Sequence, residues 1–288
     1  MIAGLANQII QGILLGGLYA LLAVGLSLSV GVMKFVNIAH GDLIVLFSFL
    51  LLFIASKLGL PPFGALVVFL PIAFMLGYAL QRFLLQRVLS RANVLAVLLV
   101  TFGISVVIQN GLLEAFGPDT RKLSQGAIEI QTLTLPGPVY IGVLPVLTLL
   151  AAIAVVAAIE LILRRTRVGA HIRAVSDDVE AARLAGLRPE RIYAIAMGIV
   201  GVTLAISACF LAVRTNFDPS SGPRQLLLAF EAVVVGGLGS LWGTLLGGIL
   251  LGIAQSLGAQ IDGAWEILAG HILFLVVMMV RPNGLLQR

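Results

Sequence analysis

The first 33 residues contain no Asp, Glu, Lys or Arg, and the stretches 58–81, 92–113, 130–159, 192–213 and 232–261 are equally free of charge. A helix needs about 20 apolar residues to cross a bilayer, so each stretch is long enough to do so. Two shorter uncharged stretches, 43–56 and 267–280, can cross if their flanks join in. Soluble domains carry about 25% charged residues, whereas this chain has 11%, with 60% hydrophobic residues. Lipid is therefore the expected solvent and the first expected partner. Inside it the backbone must satisfy its own hydrogen bonds, and runs of this length do so as helices. The expected fold class is all-α: a polytopic transmembrane helical bundle of about 7–9 membrane segments, forming a single domain over 1–288. Pro136 and Pro138 divide the 130–159 run and move its helix start to about Ile141. Spans are expected near 6–32, 36–56, 62–81, 92–113, 141–163, 192–212 and 264–281. No Lys or Arg precedes Lys34, so the basic segment of a secretory signal is missing and residues 1–33 are expected to be a mature membrane segment.

Lys and Arg in short loops mark the cytoplasmic side. Grouping Lys34, the 81–91 segment, the loop 164–191 and the C-terminal tail on one side collects thirteen of the eighteen basic residues. That places the N-terminus outside and the C-terminus in the cytoplasm of a bacterial-type plasma (inner) membrane. The chain then leaves near Arg214 and must be outside again before its last span, so 226–258 must go in and come back. This segment contains "VVVGGLGSLWGTLLGGILLG". As one helix it would reach about 50 Å; bent at its glycines, each arm is short for a full crossing. It is expected to be a re-entrant or broken helix pair, with two short tilted spans as the alternative. Gly236, Gly237, Gly239 and Gly243 read as hinges and close-packing points.

The loop 164–191 has helix grammar. Asp177 is a suitable N-cap, and Glu180 three residues later completes a capping-box variant. Gly186 is a suitable stop and Pro189 a suitable start for the next helix. A short helix is expected at about 178–185. Interfacial helices that rest on lipid carry basic residues opposite large apolar ones. This one opens with Asp177, Asp178 and Glu180 and continues with small apolar residues, which suits docking to a cytoplasmic partner.

The stretch "KFVNIAHGDL" brings Asn37, His40 and Asp42 together between two apolar runs. With three His in the chain, at 40, 171 and 271, and the single Cys209, a metal centre is not expected. No nucleophile–base set or G-x-S-x-G motif is present either, so no catalytic residue and no cofactor is expected. Asn37 can cap a helix running to about 56, and Asp42 lies near its positive end. Polar groups at membrane depth face the bundle interior or a wet pathway, so two roles stay open: a helix-packing network, or a gate near the inner mouth. Glu231 is either a helix-start acid at the outer interface or a contact for a substrate ammonium. Gln109 and Asn110 read as interfacial.

"EAARLAG", Glu180 to Gly186, resembles the E-A-A-x-x-x-G core of the coupling loop of ABC importer permeases. "GLYALLAVGLSLSVGVMKFVNIAHGDL", "IRAVSDDVEAARLAGL", "AFEAVVVGGLGSLWGTLLGGILLG" and "RPNGL" resemble one branch of them, the branched-chain amino acid permeases of LivH type. The resemblance touches both ends and the middle of the chain; residues 114–140 are less typical. It implies a type II importer-like permease that moves branched-chain or other hydrophobic amino acids inward by alternating access. The implied partners are a second homologous permease in a heterodimer, two cytoplasmic ATPase subunits and an external substrate-binding protein, with no nucleic acid. It assigns ATPase coupling to Asp177, Asp178, Glu180, Ala181, Ala182 and Gly186. No Gly is followed by Lys anywhere, so the chain lacks a P-loop, and ATP hydrolysis is expected in the partners. Transport of urea, short amides or another small polar solute, and a self-sufficient channel, are the alternatives.

Overall fold

A computed structural model describes residues 2–89, 94–134 and 140–286. Arg91, Pro136, Pro138 and Arg288, which bore on the charge count and on one helix start, lie outside these residues. The bundle is built from α1 (Ile2–Met33), α2 (His40–Leu58), α3 (Pro62–Ala79), a π-helical turn at Leu80–Leu85 that runs into α4 (Gln86–Leu89), and α5 (Val94–Phe116). After a short α6 (Ala127–Ile130) come α7 (Val143–Arg165), α8 (Arg167–Asp177), α9 (Val179–Leu184) and α10 (Pro189–Arg214). The chain closes with α11 (Gly222–Gly236), α12 (Leu241–Gly258) and α13 (Gly263–Val280). Among the described residues, eight helices are long and apolar enough to cross a membrane. The all-α expectation holds apart from a small antiparallel hairpin, β1 (Thr132–Thr134) with β2 (Tyr140–Gly142).

Helices α1 and α10 form the buried centre, and α13 lies at the periphery. α1 packs antiparallel to α12 through small residues. Side chains at Gly12 and Gly16 would overlap the backbone at Ile253 and Ile249, and side chains at Gly248 and Gly252 would overlap α1 in return. Lipid offers no hydrophobic drive for helix association, so close backbone approach of this kind supplies the dispersion contact instead. α10 packs antiparallel to α3 in the same way, with Gly77 against Met197 and Gly201 against Ala73.

The Gly-rich segment is broken as expected, between α11 and α12. Gly237 and Gly239 adopt φ of 108° and 78°, which a side chain would strain. Gly236 and Gly243 face each other across the break, each leaving no room for a Cβ on the other. The two arms are unequal. α11 has 15 residues, whereas α12, with 18, is long enough to cross. Gly239 lies against Gly31, and the tail pairs Leu285 N–H with the Val235 carbonyl at 3.0 Å. The 237–240 turn, the tail and the end of α1 with Lys34 therefore gather at one end of the bundle. α8 joins them there, because Ser176 Oγ donates to the Gly31 carbonyl at 2.8 Å.

At the opposite end, Arg121 and Phe217 form a two-way backbone bridge, and Leu123 N–H donates to the Ala212 carbonyl at 2.9 Å. There Lys122 pairs with Glu129 at 2.8 Å. Its ammonium, helped by the Gln125 N–H, holds the Glu129 carboxyl below the usual carboxylate range.

Candidate functional site

Lys34 takes the left-handed conformation, φ 57°, and turns the chain back after α1. Residues 35–39 then run without helix, with Phe35, Asn37 and Ala39 buried, before α2 starts at His40. His40 Nε2 lies 2.9 Å from the Leu22 carbonyl, and since a carbonyl only accepts, Nε2 carries the proton. Leu22 lies eleven residues before the end of α1, so α2 begins about 16 Å inside the bundle along that helix. This corrects the expectation that the Asn37–His40–Asp42 cluster lies at the inner mouth. Non-helical backbone at such depth persists only when protein or a wet cavity surrounds it. Here protein does: the Ile38 N–H donates to Thr101 Oγ1 at 3.3 Å, and Asn37 Oδ1 accepts the Ala39 N–H at 3.0 Å.

Asn37 is therefore not the N-cap. That position is Ala39, with no side-chain cap, and Asn37 closes a turn just before it. Its Nδ2 is buried without a partner among the described residues, as is Nδ1 of His40.

Asp42, 1% exposed, is the hub of the site. Its Oδ2 accepts from Ser105 Oγ at 2.6 Å and its Oδ1 from Gln109 Nε2 at 2.9 Å. A Cβ on Gly222 would collide with Oδ1, and one on Gly41 with the Gly222 carbonyl. The first turns of α2 and α11 thus lie against one another with the Asp42 carboxylate between them. Both helices present their positive ends there, which suits an anion. Gln109 joins this network and also borders a cavity with Asn110, Pro118 and Asp218. Thr101, Ser105 and Gln109 recur every fourth residue on α5 and make one polar stripe on an apolar helix; that spacing was the available signal for them.

Glu231 is not a helix-start acid. It sits deep in α11, 2% exposed, and its Oε1 lies 2.5 Å from His271 Nδ1 on α13. The other oxygen, Oε2, is buried without a partner among the described residues. The structure does not bring Glu231 into the Asp42 network; it ties α11 to α13 instead.

The expected helix of the 164–191 loop is α9, but its cap is Asp178 rather than Asp177. Asp178 Oδ1 accepts from the N–H groups of Glu180 at 2.8 Å and Ala181 at 3.0 Å. Asp177 ends α8, an amphipathic helix that buries Ile172 and Val175 where the sequence pattern predicts loop. Gly186, at φ 83°, ends α9. The Leu187 and Gly186 N–H groups return to the carbonyls of Ala182 and Arg183 at 3.0 and 2.9 Å, the bond pair of a Schellman stop. Ala182 faces the bundle at 5% exposure, while Leu184 projects at 90%. Ala181, Ala185, Gly186 and Glu180 are exposed beside it. Asp177, Asp178 and Glu180 also border a cavity of about 260 Å³ with Lys34 and Tyr193.

The chain is 28% identical to the high-affinity branched-chain amino acid transport system permease protein BraD of Pseudomonas aeruginosa, over 98% of this chain and 95% of that one. It is 26% identical to the permease protein LivH of the same kind of system in Salmonella typhimurium, over the same shares. A xylose transport system permease protein of Haemophilus influenzae, XylH, is 32% identical over 48% of this chain and 39% of that one. The family model described as the permease component of branched-chain amino acid transport systems matches residues 8–280. A multi-pass helical bundle that matches this model over nearly its whole length belongs to the family of branched-chain amino acid transport permease components.

Proposed function

We propose that this chain is the membrane subunit of an importer driven by separate ATPase subunits, and that its substrates are branched-chain or other hydrophobic amino acids. The observation that carries this reading is α9. It is capped at both ends, stands at one end of the bundle, and turns an apolar face with Leu184 90% exposed away from the protein. Among the described residues nothing covers that face, and the absence of a P-loop sequence supports power drawn from separate ATPase subunits. The names of the relatives that cover nearly the full chain support the substrate class. The partial match to a xylose permease spans less than half of either chain and supports no second substrate.

In this reading the α8–α9 end, with Lys34 and the tail, faces the cytoplasm. A second permease completes the pathway and an external binding protein delivers the substrate. Asp42 with Ser105 and Gln109 acts as a gate network, since it locks the first turns of two interrupted helices, an arrangement suited to alternating access. The break between α11 and α12 serves as its hinge. The test is purification of this chain with candidate ATPase subunits, followed by ATP-dependent leucine uptake in proteoliposomes. Flux through this chain alone would make it a channel. Uptake of urea or short amides in place of leucine would reassign the substrate.

A further inference from the structure

At the end of the bundle opposite α8 and α9, a cavity of about 210 Å³ lies between the last turn of α10 and the first turns of α11 and α13. Leu18 and Leu22 of α1 and Leu228 of α11 supply part of its lining, beside Tyr19 and the polar Thr215 and Gln225. The Tyr19 hydroxyl is fixed by Gln255 Oε1 at 2.5 Å. Arg214, Arg224 and Glu266 also line it. Among the described residues none of these three has an ion-pair partner within 4 Å. Arg214 makes one long hydrogen bond, Nη1 to the Leu14 carbonyl at 3.4 Å. Asp218, also in the lining, is already engaged by the N–H and hydroxyl of Ser220. Glu266 is therefore the carboxylate left for a ligand.

Unpaired charges of both signs beside leucine side chains complement a molecule that carries both signs and an aliphatic branch. We infer that this cavity is a receiving site for a free zwitterionic amino acid with an aliphatic side chain, built by Arg214, Arg224 and Glu266. The guanidinium groups take the carboxylate in planar, charge-assisted contacts. Glu266 takes the ammonium, and the leucines bury the side chain. A neutral amide would leave the charges unmatched, and an inorganic ion would leave the leucines without a partner. The inference rests on the transport reading above and adds to it a substrate site in the permease itself.

The experiment uses the intact permease–ATPase complex in nanodiscs, without binding protein, and measures saturable binding of radiolabelled leucine. Leucinamide lacks the carboxylate, isocaproate the ammonium and glycine the side chain; each is expected to compete at least about tenfold more weakly than leucine. Glu266→Gln is expected to weaken leucine by about tenfold or more while leaving isocaproate unchanged. Arg224→Gln is expected to weaken leucine and isocaproate together and to leave leucinamide unchanged. Both side chains are exposed, so the variants should fold. No saturable binding at millimolar leucine, or wild-type binding in both variants, would overturn the site. If ATP-driven leucine uptake still runs in that case, the transport reading stands without it. If leucine is not taken up at all, the transport reading is what fails.

Discussion

Ser105 Oγ donates to Asp42 Oδ2 across 2.6 Å and so joins the middle of α5 to the first turn of α2, sixty-three residues earlier in the chain. Gln109, one turn along α5, holds the other carboxylate oxygen. The carboxylate thus has two neutral donors and two helix N-termini around it. Asp42→Asn preserves shape but removes the charge that both helix ends face. It is expected to assemble normally and to lose at least about tenfold in uptake per purified complex. Asp42→Ala also strands two donors, each costing about 1–3 kcal/mol, and is expected to lower assembly as well. Full normalised uptake in Asp42→Asn, Ser105→Ala and Gln109→Ala would reduce the network to packing.

Gly222 approaches Asp42 so closely that a Cβ has no space. Gly222→Ala must therefore push α11 away from α2, at about 1–3 kcal/mol, the usual range for overpacking. Gly263→Ala, at the start of α13 with nothing within 4 Å of its Cβ position, is the matched control. Thermal unfolding of the two variants in detergent should show a lower midpoint for Gly222→Ala alone.

Leu184 and Ala182 lie two residues apart on α9 but face opposite ways. A charge at Leu184 should abolish retention of the ATPase subunits on an affinity column and leave the permease as thermostable as before. A charge at Ala182 should instead lower the yield of folded permease, because it is forced into the bundle. Retention of the ATPases by Leu184→Glu would remove the docking role from this face.

Asp178 holds two N–H groups of α9, whereas Asp177 holds neither. Losing such a cap costs about 0.5–2 kcal/mol. Hydrogen exchange at Glu180 and Ala181 should speed up in Asp178→Ala and stay unchanged in Asp177→Ala. Equal exchange in the two variants would refute the assignment of the cap.

Cys209 is the single cysteine, buried with its Sγ 3.7 Å from the Pro62 carbonyl. On a Cys209→Ser background, a cysteine at Thr120 should react with an impermeant thiol reagent added outside, and one at Ala185 only from the cytoplasm. The reverse pattern would invert the orientation.

The charge-free runs alone determined that this chain spans a membrane as helices, because hydrocarbon leaves the backbone few ways to satisfy itself. Local grammar found α9, its stop at Gly186 and the break at Gly237–Ser240, since caps and turns depend on neighbours in the chain. It placed the α9 cap one residue early, as two adjacent aspartates compete for the same position and only the backbone angles choose between them. What no local pattern reached was depth and pairing. The sequence marked Asp42 as costly in lipid, but Ser105 and Gln109 were chosen for it by the way α5 packs on α2. Glu231 met His271 for the same reason, across forty residues. The start of α2 lies deep inside the bundle rather than at its mouth because Lys34 turns the chain back and His40 finds a carbonyl on α1. Such contacts are set by which helices come to touch, and only the tertiary fold decides that.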